Sequence, residues 1–132
     1  MVSETFLNHS NTEIRKLMRL GAALAPRSRV RALEAFHRAR EIDPCYAEAP
    51  NRIAHLLYLD SEFERALAMA KVAVALCPSH FSAQGLMGMC LAKLDRLPEA
   101  RSAFRRCLEL HPWSYDVSCK LFAIERTVSS TV

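Results

Sequence analysis

ALEAFHRAREIDP (32–44), ALAMAKVAVALCP (66–78) and ARSAFRRCLELHP (100–112) align without a gap, and each ends in proline. Pro44, Pro78 and Pro112 are spaced by 34 and 34 residues. Twelve residues before each proline stands Ala32, Ala66 or Ala100, and five before stands Ala39, Ala73 or Cys107. Phe36, Ala70 and Phe104 share a third offset. Self-similarity at a fixed period is the signature of a chain built from stacked units. Each proline stops a helix, because the residue before it is pushed out of helical space.

Working outward, each unit reads as two amphipathic stretches with a polar break between them. Phe63, Ala66, Leu67, Ala70 and Val74 recur at helical spacing among mostly charged residues. Ser10 with Glu13, and Ser61 with Glu64, read as capping boxes. Ser79 and Ser114 read as caps for the helices after them. Pro98 and Pro50 fit a first turn, where the missing N–H costs nothing. Short residues at Ala32, Ala66 and Ala100 let two antiparallel helices approach closely, and Phe36 and Phe104 fill the space between pairs. Beyond the third unit, Val117, Leu121 and Ile124 with Phe122 form a stripe that can cap the stack. The expectation is seven helices, with breaks near Pro26, Pro44, Asp60, Pro78, Asp95 and Pro112.

Composition agrees. The chain of 132 residues is 51% hydrophobic and 24% charged, which is globular. Three glycines and six prolines are too few for the turns of a many-stranded sheet. Five cysteines, none in Cys-x-x-Cys, read as reduced thiols, and Met1–Ser10 lacks the pattern of a secretory signal. The expected location is therefore cytoplasmic, and no apolar run is long enough to span a membrane.

The 34-residue period, with its small residues, aromatic and closing proline, resembles the tetratricopeptide repeat (TPR). Gly88 and Ala54 stand where that family prefers Gly or Ala, and Leu20 fills the place in the first unit, beside Gly21. The family's early Trp is replaced by Pro50 and Gln84. The resemblance implies an all-α, right-handed α-solenoid of three antiparallel helix pairs plus a C-terminal capping helix. The units are 13–46, 47–80 and 81–114, after an extension over 1–12 and before a cap and tail over 115–132.

In the family, the first helices of the pairs line a concave wall. Carried over position by position, the first unit offers Ile14, Leu17, Gly21, Leu24 and Ala25. The second offers Glu48, Asn51, His55, Tyr58 and Leu59, with Arg52 at the edge. The third offers Ser82, Gly85, Met89, Ala92 and Lys93. A groove with such a lining suits an extended peptide or an amphipathic helix. One TPR subtype holds acidic C-terminal chaperone tails in a carboxylate clamp. Its five positions here hold Leu17, Gly21, Arg52, Ser82 and Leu86, so this chain lacks it.

Other classes of function find little support. No phosphate loop, Gly-x-Ser-x-Gly or His-Glu-x-x-His occurs, and no catalysis or cofactor is expected. Cys77 with His80 and Cys107 with His111 have zinc-like spacing but lie in different units, and no metal site is expected. The first unit carries eight basic and four acidic residues, among them Arg27, Arg29, Arg31, Arg38 and Arg40. Without interleaved aromatics to stack bases, nucleic-acid contact through it is the lesser alternative. Ser130-Thr131-Val132 fits the tail that PDZ domains bind, a pattern that chance often produces. The reading is a non-catalytic adaptor with a protein partner. A small dedicated chaperone of secretion-substrate type is its alternative, and an RNA-contacting repeat protein is the alternative of another class. The sequence does not specify the oligomeric state.

Overall fold

The computed structural model describes the backbone of residues 4–130 and the side chains of 10–128. Among the described residues seven helices follow one another: α1 (Glu4–Leu24), α2 (Arg29–Ile42), α3 (Glu48–Leu59), α4 (Phe63–Leu76), α5 (Phe81–Lys93), α6 (Leu97–Leu110) and α7 (Tyr115–Ser130). No strand occurs among the described residues. The six breaks fall where the prolines and polar turns place them. Among the described residues no helix is long and apolar enough to cross a membrane. Thr131 and Val132 of the PDZ-like tail lie outside the described residues.

Helices pack in the pairs α1/α2, α3/α4 and α5/α6, with α2 on α3, α4 on α5 and α7 on α6. The α3 and α5 helices also touch, so the first helices of the second and third pairs form one wall. Ala32, Ala66, Ala100, Ala39 and Ala73 are fully buried and Cys107 nearly so, which is the close approach that short side chains permit. Where Phe104 fills the third pair, Gly88 faces it: a Cβ on Gly88 would lie 2.7 Å from the ring. The second pair places two methyl groups, Ala54 and Ala70, in the same space.

The first pair follows this rule one residue out of phase. Gly21, not Leu20, lies bare against the Phe36 ring, and Leu20 is half exposed. One residue turns a helix by about 100°, so α1 presents a different face from the one the repeat register assigns. Ile14 and Leu17 are buried with Ala39 and Ala49. The turns explain the difference. Ser61 (φ 62°) and Asp95 (φ 59°) adopt the left-handed conformation. The N–H groups of Glu62 and Arg96 then bond the carbonyls of Leu57 and Leu91, each at 2.9 Å, a Schellman closure in both units. The first unit has Pro26 in its turn and closes differently: Ser28 caps α2, its Oγ accepting from Arg31 N at 3.3 Å.

Three expected caps are not formed. Ser10 and Glu13 lie inside α1, which begins at Glu4. Ser61 is the left-handed turn residue and Glu62 precedes α4, with no side-chain cap bond. His80 replaces Ser79 as the cap of α5, its Nδ1 accepting from Ala83 N at 3.2 Å. Pro50 and Pro98 do sit in first turns. On α7, Val117 and Ile124 are buried against the stack, and Arg105 bonds Glu125 at 2.8 Å. Phe122 does not join that stripe: it is 63% exposed, with the Arg126 guanidinium 5.9 Å from its ring centre.

Candidate functional site

The wall of first helices carries adjoining hollows. The first, about 400 Å³, lies between α3 and α5. Glu48, Asn51, Arg52 and His55 come to it from α3, and Ser82, Gly85 and Met89 from α5. Seven of the sixteen wall residues read from the sequence therefore converge on one cavity. Helical spacing explains this, since 48, 51, 52 and 55 share a face.

Its polar groups are arranged in a chain. His80 Nδ1 accepts the backbone cap bond, so in the neutral ring Nε2 carries the hydrogen and donates to Glu48 Oε2 at 2.7 Å. Glu48 Oε1 accepts from Arg52 Nε at 2.9 Å. Arg52 is thus tethered through one nitrogen while the rest of its guanidinium remains available. Burial, with the Arg52 charge second, lowers the His55 pKa from its ordinary value and favours the neutral imidazole. Asn51 is only 5% exposed. Its Nδ2 reaches Ser82 Oγ at 3.5 Å, and its Oδ1 is buried with no hydrogen-bond partner among the described residues.

Tyr58 and Lys93 lie in a separate hollow of about 290 Å³, which Met89 also lines, together with Lys120 and Ile124 of α7. Tyr58 meets the Phe63 ring edge-on at 5.4 Å, and Lys93 Nζ stands 6.0 Å from the same ring centre. Leu17 is not a wall residue: it belongs to the core between α1, α2 and α3, because of the phase of α1. Ala22, Ala25 and Pro26 face the wall instead and line a hollow of about 540 Å³ beside the first one.

The chain matches no family model and no curated protein. Solved structures do match. The first TPR of Spaghetti (RPAP3), bound to the HSP90 peptide SRMEEVD, superposes with a TM-score of 0.85 at 23% identity, over 89% of this chain and 94% of that one. The Sgt2 TPR domain from Aspergillus fumigatus gives 0.83 at 20% identity, over 90% and 81%. The second TPR domain of human RPAP3, in complex with the HSP70 peptide SGPTIEEVD, gives 0.81 at 22%, over 88% and 98%.

The fold is that of a TPR domain.

In the TPR register that the structure imposes, Arg15, Met18, Ala22 and Ala25 correspond to Glu48, Asn51, His55 and Tyr58. Leu17 takes the buried place of Pro50 and Gln84. The carboxylate-clamp positions of the first repeat then hold Met18 and Ala22 in place of Leu17 and Gly21, and the required Lys and Asn are absent in either register.

Five lining residues of the first hollow come from outside the set of wall positions, Leu86 of α5 among them. Phe81 opens α5, Cys107 comes from α6, and Ser114 and Val117 come from the start of α7. The signal for Cys107 is Gly85: a Cβ there would meet Cys107 Sγ at 3.3 Å. Phe81 stacks on the His111 ring at 4.4 Å, and beyond it Trp113 stands 83% exposed. Burial pushes the Cys90 thiol up to about 11 and raises that of Cys107, so both behave as apolar filler. No group of three or more His, Cys, Asp or Glu that could hold a metal occurs among the described residues.

Proposed function

We propose that this TPR domain is a non-catalytic adaptor that holds a peptide or helical segment of another protein in the first hollow, between α3 and α5. The observation that carries this reading is Asn51. A buried acceptor without a donor is costly. Asn51 lines an open cavity beside the apolar surface of Leu86, Met89 and Val117, with Oδ1 itself turned away from solvent. Rotation of the Asn51 amide about its terminal torsion, which gives up only the long 3.5 Å contact with Ser82, turns Oδ1 to the cavity; there an incoming backbone N–H satisfies the acceptor, and an apolar side chain of the segment fills the space next to it. That two RPAP3 domains of this fold are solved with short peptides bound supports a peptide segment as the ligand. The ligand here differs from theirs in its terminus, because the clamp positions hold Met18, Ala22, Arg52, Ser82 and Leu86.

The test is a calorimetric titration with a partner segment selected on the intact chain. Asn51→Ala is expected to cost about 1–3 kcal/mol of binding, because the segment's N–H is left unpaired. Charge reversal at Arg38, on α2 and outside the wall, is expected to act mainly on the on-rate and its salt dependence. If Arg38 is decisive and Asn51 neutral, the convex face is the working surface.

A further inference from the structure

The second hollow, beside the first, is lined from below by the buried Phe36 and Leu56 and from one side by Ala22 and Ala25. Its rim carries Arg27, Arg29 and Arg52. Arg52 and His55 line both hollows, so the two adjoin across these side chains.

Two observations set its charge. Arg29 pairs with Asp60, and Arg52 is tethered to Glu48. The exposed Arg27 side chain has no ion pair among the described residues. Three guanidiniums against two carboxylates leave one positive charge uncompensated over an apolar base. Of these arginines, Arg29 is also locally unfavourable. The first turns of α4 and α6 carry Glu64 and Glu99, whereas α2 opens on Arg29 and Arg31 with no acidic residue. The amino end of a helix disfavours cations. A bound anion at this rim relieves both the helix end and the surplus charge.

We infer that the second hollow is a subsite for a single carboxylate side chain, Asp or Glu, flanked by apolar residues in the same segment that the first hollow holds. This inference rests on the groove reading above. One surplus charge selects a monoanion over a phosphate, which carries nearly two charges. The η nitrogens of Arg52 and the fork of Arg27 supply the donors. Phe36 and Leu56 supply the apolar surface.

The isotope-labelled full chain is titrated with acetyl-Leu-Glu-Leu-Leu-amide, its Gln counterpart and its phosphoserine counterpart, and amide shifts are followed. The Glu peptide is expected to bind about tenfold more tightly than the Gln peptide, as one charge-assisted contact provides. The amides of Ala22, Ser28 and Leu59 should move. In Arg27→Gln, a substitution on an exposed turn, and independently in Arg52→Gln, the Glu preference should fall below about twofold. The subsite is overturned by equal binding of Glu and Gln peptides, by a preference that survives both variants, or by no binding of either peptide. Tighter binding of the phosphoserine peptide overturns the carboxylate assignment, and movement of the same amides by an oligouridylate strand overturns the peptide. Shifts at Asn51, Ser82 and Gly85 report the first hollow separately, so the groove reading stands or falls on its own signals.

Discussion

Gly21→Leu tests the phase of α1, on which the shape of the wall at the first repeat depends. A Cβ at Gly21 falls within the van der Waals shell of three Phe36 ring carbons, and that ring is only 2% exposed, so it has nowhere to turn. Overpacking of this kind costs about 3 kcal/mol, the upper end of the usual range. Replacing a helical glycine by leucine returns about 1 kcal/mol of propensity. The net loss is about 2 kcal/mol, which for a domain of this size lowers the melting temperature by roughly 6–12 °C. The companion variant is Leu20→Lys. Leu20 is half exposed, and two good helix formers exchange there, so the change should stay within about 0.5 kcal/mol. Thermal melts followed by circular dichroism, with urea titrations for the free energies, measure both. A severe loss for Leu20→Lys with a mild one for Gly21→Leu would restore the register in which Leu20 faces α2, and would refute the rotation of α1.

Ala66→Leu and Ala100→Leu, both at fully buried contacts, should each cost roughly 1–3 kcal/mol in the same melts, against little change for exposed Lys71→Ala. Deleting 114–132 uncovers the face that Val117 and Ile124 bury; at roughly 1.5–3 kcal/mol each this is a loss of about 3–6 kcal/mol, visible as aggregation or dimers in sedimentation. Asn51→Leu should leave stability unchanged or raise it slightly in urea titrations, because it removes an unpaired buried acceptor, while it weakens the selected segment in calorimetry. His37 and His55 have lowered pKa values, chiefly through burial, so the unfolded chain binds their protons more readily. Their contribution is present above the ordinary histidine value and lost as pH falls through the folded one; His37→Gln/His55→Gln should flatten the fall in melting temperature between about pH 7 and 5.

Much of this architecture is legible in the chain itself, because local rules and the repeat agree. Prolines at a fixed period end the second helices, and small residues at a fixed offset mark where pairs touch. The α3 part of the site was equally open to reading, since four residues at helical spacing must share a face. The phase of α1 was not. It is set by a turn containing Pro26, and neither Leu20 nor Gly21 announces which of them meets Phe36. Ser61 and Asp95 likewise hide their left-handed conformation, which a glycine would have advertised. The far side of the first hollow is built by Phe81, Cys107, Ser114 and Val117, residues brought together by the stacking of α6 and α7 rather than by their spacing. Phe122 reads as part of an apolar stripe, yet its neighbours in the helix turn it outward.

The most direct test of groove binding is site-resolved photocrosslinking in the source cell. A benzophenone side chain is placed at exposed Ser82 on the lining of the first hollow, or at exposed Lys71 on α4 as the outer-face control. The expected result is an adduct of defined mass from position 82 and none from 71, with the adduct abolished by Asn51→Ala in the same chain. Adducts from 71 alone, or an adduct at 82 indifferent to Asn51, would contradict the assignment of the concave wall as the binding surface.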